Sequence, residues 1–190
     1  MTALPGAPAH LVVVDMQEVF GDPASAWFTP RFAQIVEPIS RLTAAFSPRT
    51  TFTRFVAPQG EPVGSWRAYY RQWPFALRPP ESAIWRLVAP FADGGPTVDA
   101  TTFGKWGPQL AARTGHAPVL VIAGVATDCC VISTALAAAD AGRHVRVVAD
   151  ACAGAGDDSH RQALAIMRGY APLVDVVDTA EILTAISPGG

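Results

Sequence analysis

One stretch of the sequence decides the fold: Pro118-Val119-Leu120-Val121-Ile122-Ala123-Gly124-Val125-Ala126-Thr127-Asp128-Cys129-Cys130. Its first half is an uninterrupted apolar run, which predicts a strand buried on both faces of a parallel sheet. The strand ends at Gly124 and a tight turn follows. Residues 130–141 are then apolar almost all round, as in a buried helix that ends at Gly142. The stretch therefore predicts one strand–turn–helix unit of an α/β protein.

The rest of the chain repeats this alternation of strand and helix. Further short apolar or β-branched runs predict strands at residues 11–14, 50–53, 145–148 and 173–177, and a weaker strand at 97–99. Helical patterns lie between them, at residues 31–46, 107–114, 157–169 and 179–186. Pro38 should kink the first of these helices or end its first part. Because strands and helices alternate, we predict right-handed crossovers and a doubly wound parallel sheet.

Length and composition limit the class of protein. The chain has 190 residues, of which 50% are hydrophobic and 16% charged, so we predict one ordered domain over residues 1–190. A net charge of −2 gives no indication that the protein binds nucleic acid or an anionic membrane. No apolar run approaches the roughly 20 residues that span a bilayer, and residues 1–5 lack the basic start of a signal peptide. The three cysteines, two of them adjacent, argue against a disulfide framework and predict a reduced, cytoplasmic protein.

The basic residues are 13 arginines and a single lysine, Lys105. Lysine can release a proton when its surroundings lower its pKa, whereas arginine stays protonated. Either Lys105 has a functional role, or one lysine has persisted by chance in an arginine-rich composition. Composition leaves both interpretations open.

Residues 58–80 interrupt the alternation of strand and helix. Among several prolines and glycines they hold five aromatic residues: Trp66, Tyr69, Tyr70, Trp73 and Phe75. This density on an inserted segment is typical of a pocket cover or of a subunit interface. An ordinary helix with core aromatics explains the same pattern equally well.

Chemically useful residues follow three of the predicted strands. In a doubly wound sheet ligands bind beyond the carboxyl ends of the strands, where Asp15, Lys105 and the adjacent Cys129 and Cys130 should meet. A thiol at a helix N-terminus meets free N–H groups, which favour the thiolate and could hold an oxyanion. A small buried hydrophobe is the competing interpretation of such a cysteine. Adjacent helical side chains point about 100° apart, so one of the two cysteines can face this edge.

Three blocks of the sequence resemble the isochorismatase-like cysteine hydrolases. They are Val13-Val14-Asp15-Met16-Gln17 with the following Phe20, then Gly124-Val125-Ala126-Thr127-Asp128-Cys129-Cys130-Val131, and then Ala149-Asp150-Ala151-Cys152-Ala153-Gly154. The resemblance runs from about residue 10 to 180, and its block from glycine to cysteine is highly specific. It implies a three-layer α/β/α fold around a six-stranded parallel sheet. Together with the aromatic segment, it leads us to expect a homodimer or higher homo-oligomer.

The resemblance also implies roles for individual residues. The family has an Asp–Lys–Cys triad in which the cysteine is the second of this pair. Cys130 would be the nucleophile, Asp15 the general base or proton shuttle, and Lys105 the third member. The family pattern further implies a cis peptide bond between Val125 and Ala126, and an oxyanion hole made by the backbone N–H groups of Ala126 and Cys130.

The sequence departs from the family in two places. The usual family lysine would stand near Ala100, about five residues before Lys105, so either this subgroup uses a lysine from the neighbouring turn or the triad is incomplete. Lys105 is the only lysine of the chain, which favours the first alternative, a lysine supplied from the neighbouring turn.

Nicotinamidases of the family bind a metal through an aspartate and two histidines after the second strand, but residues 53–58 contain no histidine. We expect no metal and no other cofactor, because the histidines lack ligand spacing: His10, His116, His144 and His160.

These features predict a metal-independent cysteine amidohydrolase for a small, largely uncharged amide, lactam or carbamoyl compound. Isochorismatases proper cleave a vinyl ether without a cysteine nucleophile, so Cys130 indicates acyl chemistry through a thioester. Arg54 could meet a substrate carboxylate or carbonyl, or could equally be a buried ion-pair partner. The candidates for substrate binding are Phe20, Arg54, Trp66, Tyr70, Trp73 and Trp106. The alternative is a non-catalytic binding or redox-sensing protein with Cys129 and Cys130 as an oxidisable pair.

Overall fold

Six parallel strands form the centre of the molecule in the computed structural model, which describes residues 8–186. The strands are β1 (Ala9–Val14), β2 (Thr50–Phe55), β3 (Thr97–Ala100), β4 (Val119–Val125), β5 (His144–Ala153) and β6 (Val174–Val177). Their order in the sheet is β3-β2-β1-β4-β5-β6, and every neighbouring pair is parallel. The chain moves outward from β1 to β3 and then returns to the other side of β1. The carboxyl ends of β1 and β4 therefore flank the switch point of the sheet, where ligands bind in such folds.

Seven α-helices accompany the sheet within residues 8–186. They are α1 (Glu18–Gly21), α2 (Phe32–Phe46), α3 (Trp66–Gln72), α4 (Pro108–Thr114), α5 (Ile132–Asp140), α6 (Asp157–Arg168) and α7 (Thr179–Ile186). Helices α2 and α7 pack on one face, and α4, α5 and α6 pack on the other. The predicted doubly wound, three-layer α/β/α fold with six parallel strands is confirmed.

Side chains of the central strands alternate between two hydrophobic cores. In β1, Leu11 and Val13 belong to the core shared with α2, whereas Val12 and Val14 belong to the core on the opposite face. All residues of β4 are buried. Burial on both faces explains why these strands appear in the sequence as continuous apolar runs and not as alternating ones.

Helix α2 runs unbroken through Pro38, so the helix does not end there. A proline inside a helix removes one backbone hydrogen bond. Here the buried side chains of Ile35 and Ile39 lie on either side of the proline and belong to the core under the helix. Their burial offsets the lost hydrogen bond.

Strand β4 reaches its carboxyl end through Gly124, which has φ +115°. A Cβ at this position would lie 2.0 Å from the carbonyl oxygen of Val14 in β1, so only glycine fits. The predicted helix starts later than the sequence suggests. Residues Thr127–Val131 form a π-helical turn, and the regular α-helix begins at Ile132.

The inserted segment at 58–80 contains α3 and one short 3-10 turn, Pro74–Ala76. Two further 3-10 turns, Ala83–Trp85 and Ala89–Phe91, follow it and were not predicted from the sequence. No helix within residues 8–186 is long and apolar enough to cross a bilayer. The prediction about a signal peptide concerns residues 1–5, which lie outside the described residues.

Candidate active site

Asp15 stands at the carboxyl end of β1 and is completely buried. Its φ of +52° is in the left-handed region, which aspartate tolerates better than most residues. The backbone N–H of Asp15 donates to the carbonyl of Thr53 at the end of β2 (3.2 Å). The hydroxyl of Thr53 donates in turn to Oδ1 of Asp15 (2.7 Å). This exchange fixes the carboxylate and leaves Oδ2 for a second partner.

That partner is Lys105, whose Nζ lies 2.9 Å from Oδ2 of Asp15. Both side chains of this ion pair are fully buried. Nζ also donates to the carbonyl of Thr102 (2.9 Å) and lies 4.9 Å from the centre of the Phe55 ring. The lysine reaches Asp15 from the turn after β3, so its position five residues beyond Ala100 does not keep it from the site.

Thr134 connects this lysine to the cysteine turn. The backbone N–H of Lys105 donates to the hydroxyl of Thr134 (2.9 Å), and that hydroxyl donates to the carbonyl of Cys130 (2.6 Å). Thr134 is completely buried in the first turn of α5. One side chain therefore holds the backbones of both residues.

Cys129 and Cys130 lie in the π-helical turn after β4. Cys130 is buried and Cys129 is half-buried, and both line the cavity described below. The peptide bond between Val125 and Ala126 is cis. The carbonyl of Ala126 accepts hydrogen bonds from the N–H groups of Cys129 and Val131, the residues on either side of Cys130.

The two thiols influence each other's ionisation. The neighbouring thiol of Cys130 lowers the pKa of Cys129. The same interaction, followed by burial and by the negative charge of Asp15, raises the pKa of Cys130. The positive charge of Lys105 lowers the pKa of both thiols. The pair therefore loses its first proton readily and its second with difficulty.

Polar contacts hold the turn against the start of α6. Oδ1 of Asp128 accepts a hydrogen bond from the N–H of Ala155 (2.9 Å). A Cβ at Gly154 would lie 2.8 Å from the same oxygen, so the close approach requires glycine. The hydroxyl of Thr127 is 2.8 Å from Nδ1 of His160, whose pKa is lowered by burial.

The cysteines open onto a cavity of about 420 Å³, a size suited to a small ligand. Half of the residues that line it are aromatic. The lining residues are Phe20, Ala26, Trp27, Phe28, Thr29, Phe55, Tyr69, Trp73, Phe103, Ala126, Asp128, Cys129, Cys130 and Ala155. The pKa of Tyr69 is raised, first by burial and then by the neighbouring thiols Cys129 and Cys130.

Of the six residues predicted to bind substrate, Phe20 and Trp73 line this cavity and four do not. Arg54 forms a bidentate ion pair with Asp99 of β3 (2.6 and 2.8 Å), and this pair is partly exposed, whereas the competing interpretation had a buried one. Trp106 belongs to the core on the opposite face of the sheet, where the guanidinium of Arg143 lies 5.5 Å from its ring centre.

The other two residues outside the lining are Trp66 and Tyr70. Trp66 packs behind the wall, with ring centres 6.3 Å from Phe55 and 5.1 Å from Phe103. Tyr70 is 2% exposed, and burial raises its pKa to about 12. Both residues support the rings of the cavity and do not reach its interior.

Several lining residues were missed from the sequence, above all Trp27, Phe28, Tyr69 and Phe103. Trp27 is the centre of the aromatic group, with six other rings within 6.3 Å of its own. It lies in the loop between α1 and α2, where no periodic pattern marks it. The cluster of large aromatics close behind the Asp15 block was the signal that could have identified it.

The part of the chain that the structure describes contains no group of three or more His, Cys, Asp or Glu side chains arranged to hold a metal ion. The end of β2 packs Phe55, Val56 and Ala57 into the hydrophobic core. The third cysteine, Cys152, is buried in β5, and burial raises its pKa to about 12. Cys152 is therefore a packed, unreactive thiol.

Comparisons with known proteins agree with this geometry. The family model of the isochorismatase domain matches residues 9–181. A cysteine hydrolase from Pseudomonas syringae pv. phaseolicola 1448A is 22% identical, with a TM-score of 0.81 over 95% of this chain and 92% of its own. An isochorismatase family protein from Desulfovibrio vulgaris subsp. vulgaris str. Hildenborough is 19% identical, with a TM-score of 0.81 over 96% of this chain and all (100%) of its own.

A nicotinamidase from Bacillus subtilis is 20% identical, with a TM-score of 0.70 over 90% of this chain and 99% of its own. At these identities the structural likeness shows a shared fold. No protein with a curated description matches the chain significantly.

Proposed function

The chain belongs to the isochorismatase family of hydrolases, and we propose that it is a metal-independent cysteine amidohydrolase that cleaves the C–N bond of a small amide, lactam or carbamoyl compound. One observation carries the proposal. The buried ion pair of Asp15 and Lys105 is linked through the Thr134 hydroxyl to the backbone of Cys130, and Cys130 lines a cavity large enough for a small ligand.

In the proposed cycle Asp15 takes the proton of Cys130, and the thiolate attacks the carbonyl carbon of the substrate. The backbone N–H groups of Ala126 and Cys130 would hold the resulting oxyanion. Collapse of the tetrahedral intermediate breaks the C–N bond, and Asp15 returns its proton to the departing amine. Water, deprotonated by Asp15, then hydrolyses the thioester and restores the thiol.

Lys105 has an electrostatic role in this proposal. Its positive charge favours the ionised form of the neighbouring thiols, so it acts to lower the pKa of both Cys129 and Cys130. Lys105 is also paired with Asp15, and both side chains of the pair are fully buried. A compact ammonium suits a position between a carboxylate and a thiolate.

Two further observations support the proposal: the first concerns the metal and the second concerns amide chemistry. Residues after β2 are apolar in place of the histidines that a metal site would need. A structural neighbour is a nicotinamidase, which acts on an amide, so the fold accommodates this reaction class. The alternative of a non-catalytic or redox-sensing protein is not favoured, because it gives no role to the buried Asp15–Lys105 pair.

A screen of small amides for release of ammonia or amine tests the proposal. We expect the wild-type protein to release product from at least one amide, lactam or carbamoyl compound, and Cys130→Ala to release none. Trapping with hydroxylamine should yield a hydroxamate from the wild-type reaction only, because a thioester is the acyl donor. Hydrolysis by Cys130→Ala at the wild-type rate would contradict the assignment.

A further inference from the structure

We propose that the cavity next to Cys130 recognises a positively charged organic group of the substrate, an alkylated ammonium, between aromatic rings and the carboxylate of Asp128. The inference rests on the proposed function for the role of the bound molecule as a substrate. It refines the predicted substrate: the scissile amide is neutral, and the group that fills the cavity bears the positive charge.

The first argument is the shape and polarity of the aromatic wall. The Trp27 ring is inclined by 69° to that of Trp73, and the Tyr69 ring by 79° to that of Phe103. Rings at such angles meet edge to face, whereas Phe20 lies nearly parallel to Trp27 (11°) and Phe55 is inclined by only 26° to Phe103. The face of an aromatic ring is electron-rich and attracts a cation, most strongly for tryptophan and tyrosine.

The second argument is the sign of the charge at the cavity. Asp128 is the one charged residue among the described residues that line it. Its Oδ1 is engaged by the N–H of Ala155, so the carboxylate is held in place with Oδ2 left for another partner. The nearby cation Lys105 is neutralised by Asp15 in a buried ion pair.

The arginines nearest this region are also neutralised outside the lining. Arg54 is paired with Asp99, and Arg31 forms a bidentate ion pair with Asp157. The charge of Asp128 therefore remains uncompensated at the cavity. A substrate carboxylate would meet repulsion from Asp128, whereas a cation would be attracted by it.

The third argument distinguishes an alkylated ammonium from a primary one. A primary ammonium donates three hydrogen bonds and needs as many acceptors when it leaves water. The lining provides a carboxylate and large apolar surfaces, but few other acceptors. A methylated ammonium needs no such acceptors, and its methyl groups can pack against the rings of Trp27, Tyr69 and Trp73.

Equilibrium binding of choline and its uncharged isostere 3,3-dimethylbutan-1-ol to the wild-type protein tests the inference. The two probes have the same shape and differ in charge, and neither is an amide, so binding is measured without turnover. We expect choline to bind at least about tenfold more tightly by calorimetry. Equal or tighter binding of the isostere would overturn the proposal.

Two variants locate the effect. Asp128→Asn keeps an oxygen acceptor for the N–H of Ala155 and removes the charge, so we expect it to abolish most of the preference for choline. Trp73→Leu should weaken choline binding severalfold, whereas the matched control Trp106→Leu, on the opposite face of the sheet, should not. Full preference for choline in Asp128→Asn would exclude the proposed role of the carboxylate.

The outcome is separable from the test of hydrolysis. Preference for choline in a protein that hydrolyses no amide would contradict the proposed function and leave the cation site standing. Hydrolysis of amides by a protein without this preference would contradict the cation site alone.

Discussion

The hydroxyl of Thr134 accepts a hydrogen bond from the backbone N–H of Lys105 at 2.9 Å. The same hydroxyl donates to the carbonyl of Cys130, so the lysine turn and the cysteine turn are held by one atom. We expect Thr134→Val to leave a buried donor and a buried acceptor unpaired and to lower the free energy of unfolding by about 1–3 kcal/mol.

If Thr134 also positions the triad, its replacement will slow alkylation of Cys130 by iodoacetamide at a temperature where the fold is intact. Thr134→Ser, which restores the hydroxyl, should recover both stability and thiol reactivity. A Thr134→Val protein that is less stable but equally reactive would limit the residue to a structural role.

Lys105→Arg should be nearly as damaging as Lys105→Ala. The ammonium of Lys105 is fully buried between Asp15, the carbonyl of Thr102 and the face of Phe55, and the larger planar guanidinium does not fit there. We expect a loss of about 100-fold or more in kcat/KM, equivalent to about 2.7 kcal/mol. Rates close to wild type in both variants would remove Lys105 from the triad.

Cys130→Ala should abolish hydrolysis, whereas Cys129→Ala should keep most of it. Both residues line the cavity, but the family block and the link through Thr134 single out Cys130. The measurement is kcat/KM on the substrate found by the amide screen, with circular dichroism to verify the fold. Equal losses in the two variants would contradict the assignment.

Cys129→Ala should also shift the pH dependence of Cys130 alkylation. The largest influence that raises the pKa of Cys130 is the neighbouring thiol of Cys129. Removing Cys129 therefore lowers the pKa of Cys130, so the thiolate forms at a lower pH and the rising limb of the rate profile moves in the acidic direction. Cys152 does not interfere, because its pKa is raised to about 12 by burial. A shift in the alkaline direction would show that Cys129 promotes ionisation of Cys130.

Hydrolysis should survive exhaustive treatment with EDTA. The described residues offer no cluster of metal ligands, and the residues after β2 are apolar. Loss of activity on chelation, with recovery on addition of zinc or iron, would require a metal site in this protein. A metal-dependent amidase treated in parallel provides the control for complete chelation.

Static light scattering at micromolar concentration should give the mass of a dimer or a higher oligomer. Val63 and Leu77, which flank the aromatic segment, are 70% and 45% exposed, and such apolar surface is better buried against a second copy. The double variant Val63→Asp/Leu77→Asp should then dissociate. Ile166→Asp, at an exposed apolar position on α6, is the matched control. A monomeric wild-type mass would contradict the expectation.

Most of the strands were predictable because they are continuous runs of apolar or β-branched residues, and a parallel sheet buries both faces of such runs. Asp15 and the cysteine turn follow directly from two of those strand ends. The residues that form the wall of the cavity were harder to predict, because their positions depend on tertiary packing. Tyr69 of α3 and Trp73, the residue directly after the helix, line the cavity, whereas Trp66 and Tyr70 lie four residues apart on a neighbouring face of α3.

Sequence periodicity does not say which of these two faces turns toward the cavity, and the packing of α3 against Phe55 and Phe103 decides it. Trp27 was harder to predict for a related reason. It approaches the site from a loop, and loops position their side chains through long-range contacts without a repeating pattern.

The burial of Lys105 has a chemical consequence for the whole surface. The chain contains one lysine, and 3% of that residue is exposed. The folded protein therefore presents no accessible ε-amine, so lysine acetylation, ubiquitin attachment and amine-directed crosslinkers have no side chain to act on until the fold opens. Labelling of Lys105 by an acylating reagent would report local opening of the site itself.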